Sequence, residues 1–438
     1  MRPSHFLGPH PIAPMPDRNA KLAILSVLRH APDFPALASL SSLNANERRS
    51  LLHWLDQSGL ALSFAHRLRQ CHATSQIPED LLDALQQRVA KNVTRLCDML
   101  VEFRRLNDSF RQHGVFVATL KGFTLAPDFC ENLCLRHQTD FDFLVDPKSV
   151  LAAAQAFASC GYSTAALSDS AESCFTTPLR HIPSEQDDIY LPQRHRQADL
   201  HTSIWEDTPW LKVHVPHDCL QHAESAELHS VHFYSLSFED KFLTQVLHLF
   251  RHSFRSWIRL SWLLEIATCL QLHCHDEHLW QRVIERAGED RLTKRIFSFV
   301  LGLAHRLFDC RVPSALQSWS SPACSPAMRT WLDHFSLDWA IADWPGSLNN
   351  LFFAAEFIPD RRRRLLYLRS RLLPRGGQTS IGAVATSDSA SVWNVSAARL
   401  RYTAGRSAAH LKSLLCLPWQ HLRWWKALMF ARTNGLES

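Results

Sequence analysis

Apolar side chains recur at steps of three and four residues along two long parts of the chain, one before residue 114 and one after residue 236. The clearest segment begins after Pro78 and contains nine apolar positions with this spacing: Leu82, Leu85, Val89, Val93, Leu96, Leu100, Phe103, Leu106 and Phe110. These positions form one face of a helix, so the pattern predicts one long amphipathic helix. Gly114 follows it, and glycine suits the left-handed position just beyond a helix.

The same helical spacing continues in the second half of the chain. It predicts successive amphipathic helices at 236–254, 256–273, 279–288 and 291–308. Residues 22–114 are likewise predicted to be helical throughout. The chain therefore has two helical regions, separated by a stretch with a different pattern.

Between residues 115 and 235, short runs of β-branched and aromatic residues predict β-strands. The predicted elements are a strand VFVATL (115–120), a short helix (123–131), a strand DFDFLV (140–145), an Ala-rich helix (148–162) closed by Gly161, and an antiparallel hairpin that joins DDIYL (187–191) to QADLHTSIW (197–205). We therefore expect an α+β protein, in which a core with a small mixed β-sheet is flanked by N-terminal and C-terminal helical regions.

Composition supports a folded chain. Of the 438 residues, 46% are hydrophobic and 20% are charged, which is enough apolar material for a sizeable core. The first 21 residues are rich in proline and histidine and contain no continuous apolar segment, so we expect a disordered tail rather than a signal peptide. No run approaches the roughly 18 uncharged residues of a membrane span. The twelve cysteines include no C-x-x-C pair, and we expect reduced thiols in a cytoplasmic protein.

Positive charge is concentrated at the C-terminus. Residues 361–438 hold 14 Lys or Arg against 2 Asp or Glu, a net charge of +12 in a chain whose formal net charge is +5. Two basic segments, 361–373 and 418–432, carry Leu, Tyr and Trp at helical intervals, and small residues at 375–396 predict a flexible linker between them. Such segments suit an anionic membrane surface, an acidic partner or nucleic acid, or they cover the acidic remainder of the same chain.

These patterns divide the chain into five regions: a disordered tail (1–21), a helical region (22–114), an α/β core (115–235), a helical domain (236–360) and a basic, partly flexible tail (361–438).

The strand DFDFLV carries the most specific candidate chemistry. Successive side chains of a strand point to opposite faces, so Asp140 and Asp142 share one face while Phe141 and Phe143 share the other. The two carboxylates lie about 7 Å apart on a strand, and their repulsion favours a cation between them. Hard oxygen ligands suit Mg²⁺ or Mn²⁺. Two acids on the solvent face of an edge strand are the competing interpretation.

Three segments together resemble a known family: LKGFTLAPDF, LRHQTDFDFLV and ADLHTSIW. They resemble the uncharacterised nucleotidyltransferase family within the DNA polymerase β-like nucleotidyltransferase superfamily, over roughly residues 78–275. The resemblance implies that Asp140, Asp142 and Asp199 are catalytic and hold two divalent ions. One ion would bind the phosphates of a nucleoside triphosphate. The other would activate an acceptor hydroxyl, so that a nucleotidyl group is transferred and pyrophosphate leaves.

The phosphate-binding turn departs from the superfamily pattern, because Lys121-Gly122 stands where Gly-Ser is usual. Gly122 still permits close backbone approach at a helix N-terminus, and Lys121 would add a positive charge near the triphosphate. Arg136 is open to two interpretations, a phosphate clamp or an ion pair with Asp140.

The third acid has neighbours that compete with it. Glu185, Asp187 and Asp188 lie nearby, but the alternation A-D-L-H places Asp199 on a strand. His201, on the same face, either orients Asp199 or is a half-buried structural histidine.

His248 and His252 have the i, i+4 spacing of a zinc site without the glutamate of H-E-x-x-H, which favours a structural role.

The predicted function is metal-dependent transfer of a nucleoside monophosphate from a nucleoside triphosphate to an unidentified hydroxyl. The alternatives are a catalytically inactive module that binds nucleotide or protein, and a membrane-surface adaptor that acts through the tail.

Overall fold

The computed structural model describes residues 17–164, 167, 172–177, 188–190, 196–254, 258–342, 348–373 and 392–433. The helices are α1 (Arg18–Leu28), α2 (Ala38–Ser41), α3 (Ala45–Ser58), α4 (Ala61–Gln70), α5 (Glu79–Gln112), α6 (Val150–Ser159), α7 (Phe238–Ser253), α8 (Leu260–Leu272), α9 (Glu277–Ala287), α10 (Arg291–Phe308), α11 (Ser314–Ser320), α12 (Pro326–His334), α13 (Ser336–Ala340), α14 (Asn350–Phe357), α15 (Arg361–Leu372) and α16 (Val392–Thr433).

The strands are β1 (Val117–Thr119), β2 (Asp140–Val145), β3 (Glu172–Thr176), β4 (Gln197–His201), β5 (Glu224–Leu228) and β6 (Val231–Ser235). They form one six-stranded sheet in the order β3-β4-β2-β1-β6-β5. The sheet is mixed: β2 is parallel to β4 and antiparallel to β1, and β1 is parallel to β6. This sheet, flanked by helices, confirms the predicted α+β class.

One face of the sheet packs against α5 and α6. Phe141 and Phe143 of β2 point to this side and are almost fully buried. The ring of Phe143 lies 6.1 Å from Phe103 and 5.0 Å from Phe110, both on α5. Burying one such side chain is worth about 1.5–3 kcal/mol. The phenylalanines thus enter the core as the alternation predicted, which leaves the aspartates on the opposite face.

The remaining helices form a second core, in which α1, α3 and α4 from the N-terminal part pack together with α7, α8, α10, α12 and α14. Trp280 and Trp331 are fully buried at its centre. Helix α7 follows β6 directly and lies over part of the polar face of the sheet, where Leu247 and His248 approach Leu120 and His201 around a common cleft. Within the described residues, no helix combines the length and the apolar character needed to cross a lipid bilayer.

Most predicted helices are confirmed, with small shifts at their ends. The long helix after Pro78 is α5, and Gly114 beyond it has a φ of +66°. The Ala-rich helix is α6, and Gly161 follows it with a φ of +79°. Helix α1 begins at Arg18, so residues 18–21 of the predicted disordered tail are helical.

The predicted hairpin of 187–191 with 197–205 is wrong. Strand β4 has β2 on one side and β3 on the other, so neither edge is left for a segment from 187–191. Residues 188–190 form a turn, and residues 187 and 191 lie outside the described part of the chain. The sequence between 163 and 235 was too irregular to predict β3, β5 and β6. The predicted linker 375–396 lies largely outside the described residues, and 392–396 belong to α16.

Candidate functional site

Strand pairing brings the three predicted acids to one face of the sheet. In the parallel pair of β2 and β4, Asp142 lies opposite Asp199, and Asp140 lies opposite Gln197. Paired positions on neighbouring strands point to the same side and are about 5 Å apart. The side chains of Asp142 and Asp199 are both buried. Asp140, Asp142 and Asp199 therefore form one carboxylate cluster, although 59 residues separate the first from the last.

The Asp142 carboxylate accepts two hydrogen bonds from positively charged or polar side chains. Its Oδ1 atom accepts hydrogen bonds from the Nζ atom of Lys121 at 3.2 Å and from the Nε2 atom of His201 at 3.0 Å. Burial opposes ionisation of Asp142, but the Lys121 charge and the His201 hydrogen bond outweigh it and lower the pKa of the carboxyl. Burial likewise opposes the charged imidazole, yet the bond to Asp142 raises the pKa of His201.

The pKa values of the other two acids shift in the opposite direction. Burial, followed by repulsion from Asp140 and Asp142, raises the pKa of Asp199 to about 7. Burial and the Asp142 charge also raise the pKa of Asp140. Both oxygens of Asp199 accept hydrogen bonds from Nε2 of Gln197, at 2.8 and 3.0 Å. The three carboxyls thus differ: the pKa of Asp142 is lowered, whereas the pKa values of Asp140 and Asp199 are raised.

Three carboxylates on one face are hard oxygen donors, the ligand type that Mg²⁺ or Mn²⁺ prefers; burial, followed by repulsion, raises the pKa of two of them. In the described part of the chain, no group of three or more His, Cys, Asp or Glu is positioned as a ready metal site. Lys121 supplies the positive charge beside Asp142 instead. A metal ion would therefore take over a place that the Lys121 ammonium now fills.

A cleft opens beside the carboxylate cluster. It encloses about 430 Å³, including space open to solvent, and Lys121 and His201 form one wall of it. The opposite wall comes from α7, which contributes His248 and Arg251. Burial and the nearby Lys121 charge lower the pKa of His248 well below its ordinary value, so its imidazole is neutral. The cleft lining combines the basic groups Lys121 and Arg251 with the acids Glu172 and Glu206. It reaches the carboxylate cluster through Lys121 and His201, the two partners of Asp142.

The turn before the cluster is built around Gly122, which has a φ of +70°. A Cβ atom there would lie 2.4 Å from Nε2 of Gln138, the atom that donates to the carbonyl of Asp140 at 2.9 Å. Gly122 begins a single turn of 3-10 helix (Gly122–Thr124), so the helix predicted at 123–131 is wrong. The requirement for glycine here comes from its backbone conformation and its contact with Gln138.

Replacing Gly122 by alanine is expected to destabilise the protein more than the same change at Gly114. Both glycines have positive φ, which costs an alanine about 1–2 kcal/mol, but nothing lies within 4 Å of a Cβ at Gly114. The alanine at 122 must also displace Gln138, whose lost hydrogen bond adds about 1 kcal/mol. Urea denaturation of the two variants measures the difference, and equal losses would show that the Gln138 contact is unimportant.

Arg136 does not pair with Asp140. Its Nε atom donates to Oε1 of Glu265 on α8 at 2.9 Å, and both side chains are largely buried. The carbonyl of Arg136 accepts from Nδ2 of Asn92 on α5 at 3.1 Å. Burial opposes the charge, but the Glu265 carboxylate more than compensates and raises the pKa of Arg136. Arg136 thus joins the loop before β2 to the helical body, and a phosphate contact stays a prediction.

The competing acids and the histidine have other partners. Asp188 pairs with Lys91 at 2.7 Å, while Glu185 and Asp187 lie outside the described residues. His201 shares a hydrogen bond with Asp142, so the interpretation in which it orients Asp199 is wrong: the carboxylate that it orients is Asp142. The alternation that placed Asp199 on a strand also places Gln197 and His201 on the same face of that strand. This alternation was the sequence signal that Gln197 and His201 belong to the site.

Three contributors to the site were missed. Cys174 and Glu172 lie on β3, a strand that was not predicted; burial and the adjacent Asp199 raise the pKa of the Cys174 thiol. Arg251 of α7 pairs with Glu206 and lies 6.0 Å from the Trp205 ring centre. No sequence motif marks these residues.

The rings of His248 and His252 each lie 4.6 Å from Trp262, which agrees with the structural interpretation of this pair.

Comparison with known families gives one match. The family model described as "Uncharacterised nucleotidyltransferase" matches residues 44–309, more than half of the chain. This span includes the whole sheet, the carboxylate cluster and helices α5 to α10. No curated protein and no solved structure matches the chain significantly.

Proposed function

Because this chain belongs to the uncharacterised nucleotidyltransferase family, we propose that it is a metal-dependent enzyme that moves a nucleoside monophosphate from a nucleoside triphosphate to a hydroxyl acceptor. The observation that carries the proposal is the register of β2 and β4, which gathers Asp140, Asp142 and Asp199 on one face beside a cleft. A cluster in which burial and like-charge repulsion raise the pKa of two carboxyls is costly to fold, and such sites are commonly functional.

Asp140, Asp142 and Asp199 would hold Mg²⁺ or Mn²⁺. The bound ion would supply charge neutralisation for the triphosphate and lower the pKa of the acceptor hydroxyl. Lys121 is placed to move from Asp142 to a phosphate oxygen, since its amine lies at the wall of the cleft. His201 keeps Asp142 oriented through its Nε2 bond. Arg251 and His248 line the space that a nucleotide would enter.

Transfer is tested by incubating the protein with each α-labelled nucleoside triphosphate, Mg²⁺ and a cell extract. We expect label to appear on an acceptor and pyrophosphate to be released, and both to stop when the divalent ion is chelated. Label transfer that persists in chelator would contradict a metal-dependent reaction.

The Lys121 contact supports one alternative, because an ammonium that already neutralises Asp142 is consistent with a module that binds nucleotide without turning it over. That module would bind the triphosphate, measured by equilibrium dialysis, and release no pyrophosphate with any acceptor fraction.

A further inference from the structure

Helix α16 has two apolar faces, and the first packs against the body of the protein. Trp424 is only 8% exposed and stacks on Phe352 at 5.6 Å between ring centres. Leu414, Leu417 and Leu428 lie on the same side and contact the helical core. These positions are separated by three, seven and four residues, so they form one stripe along the helix. This stripe accounts for the position of α16 on the body.

The second face, called here the outer face of α16, points to solvent. It consists of seven large apolar side chains: Leu411, Leu415, Trp419, Leu422, Trp425, Met429 and Phe430. Each of them is between 40% and 73% exposed. At 100° per residue most of these positions lie on the side of the helix opposite Trp424. Scattered exposed apolar residues are ordinary, but a continuous stripe of this size marks an interaction surface.

Basic residues surround the outer face. Lys412, Arg423 and Lys426 of α16 are exposed, and exposed arginines at 361–363 begin α15. Helix α15 is joined to α16, since Nε2 of His410 bonds to the carbonyl of Leu372 at 3.0 Å. Arg423 approaches Asp338 at 3.8 Å, but both side chains remain substantially exposed. The outer face is thus an apolar stripe within a strongly positive segment.

We propose that the outer face of α16 docks on an anionic lipid surface, with the helix lying in the plane of the interface. The proposal does not depend on the proposed enzymatic function. Trp, Phe, Met and Leu on one face, bordered by Lys and Arg, are typical of interfacial helices: the apolar side chains enter the headgroup boundary and the cations attract anionic lipid. Indole rings at this level are especially favourable.

The positive charge of the segment favours an anionic lipid surface over a second copy of the chain as the partner of the outer face. Two copies joined through α16 would bring together two segments that each carry a net charge of +12, and like charges at an interface disfavour association. An anionic membrane complements that charge and also buries the apolar stripe. An acidic polypeptide or a nucleic acid would complement the charge, and bases can stack on tryptophan, but neither would bury the whole apolar stripe as a lipid surface does.

The full-length protein is tested by co-sedimentation with vesicles of phosphatidylcholine alone and of phosphatidylcholine mixed with phosphatidylglycerol. We expect binding to the mixed vesicles only, weakening as NaCl is raised. The double variant Trp419→Ser, Trp425→Ser should lower the partition coefficient by about tenfold or more. The matched control is Leu151→Ser, which removes an equally exposed apolar side chain (68%) from α6 and should leave binding unchanged.

Failure to bind the mixed vesicles would overturn the proposal, as would equal binding by the parent and the double tryptophan variant. A third contrary result is that polyglutamate or RNA binds as tightly as the vesicles do, with no loss in the double tryptophan variant. That result would show that the basic residues attract any polyanion and that the apolar face is not a lipid-binding surface. Dimers in analytical ultracentrifugation that the tryptophan changes dissociate would assign it to self-association. Leu415→Ser, at the most exposed position of the stripe, provides an independent variant, and circular dichroism confirms that each variant is folded.

Discussion

Replacing Asp199 by asparagine is expected to lower the rate of nucleotidyl transfer by about a thousandfold or more, because the change removes a negative ligand from the carboxylate cluster. The same loss is expected for Asp140→Asn. Transfer of label from the α-labelled triphosphate measures the effect. Asp188→Asn is the matched control, since that acid lies near in sequence but pairs with Lys91 away from the cluster.

Asp199→Asn should not lower stability above neutral pH. Burial and like-charge repulsion raise the pKa of Asp199 from 3.8 to about 7, so between these values the folded protein holds a proton that the unfolded chain has released. The metal-free protein therefore loses stability as pH rises through this window. Asparagine cannot ionise and removes this loss. Urea denaturation of the metal-free parent and variant from pH 4 to 8 measures this difference in the pH dependence of the free energy of unfolding.

Two results would contradict this assignment. Transfer by Asp199→Asn at the parental rate would exclude the carboxylate from catalysis. A variant that is markedly less stable than the parent at pH 8 would show that the lost activity comes from unfolding, and that the Gln197 contact with Asp199 outweighs repulsion within the cluster.

Replacing Glu265 by leucine is expected to lower the free energy of unfolding by about 3–5 kcal/mol, because the buried Arg136 guanidinium loses its carboxylate partner. The double variant Arg136→Met, Glu265→Leu should recover most of that loss, since it removes both charges of the buried pair together. Chemical denaturation of both single variants and the double variant completes the cycle.

The cycle also tests the phosphate-clamp prediction for Arg136. If the residue only joins the loop before β2 to α8, the double variant should keep most of its transfer activity. An Arg136→Met variant with parental stability and a raised KM for the triphosphate would instead support contact with phosphate.

Local pattern was sufficient for several elements. The limits of β2 match the predicted 140–145, α5 lies where the three-and-four spacing placed it, and α6 lies within the predicted Ala-rich helix. Alternation alone separated the buried phenylalanines from the aspartates of β2. These predictions succeed because the relevant interactions join residues a few positions apart, whose relative direction follows from helix or strand geometry.

Partner choice between distant segments could not be predicted in the same way. The hairpin prediction assumed that β4 pairs with the segment just before it, whereas β4 pairs with β2 and β3. His201 was placed on the correct face, but neither of its two interpretations, orienting Asp199 or a structural role, named Asp142, with which it shares a hydrogen bond. Arg136 and Glu265 are 129 residues apart, and no motif joins them.

By itself, the sequence determined most of the long helices, the acidic strand, the polar face of that strand and the concentration of positive charge in the tail, because each depends on the order of neighbouring side chains. Only the tertiary structure decided that Asp199 lies opposite Asp142, that Lys121 pairs with Asp142, and that α16 leaves a second apolar face in water. Those outcomes depend on strand register and on which surfaces are covered when the whole chain packs, and both are properties of contacts between distant segments.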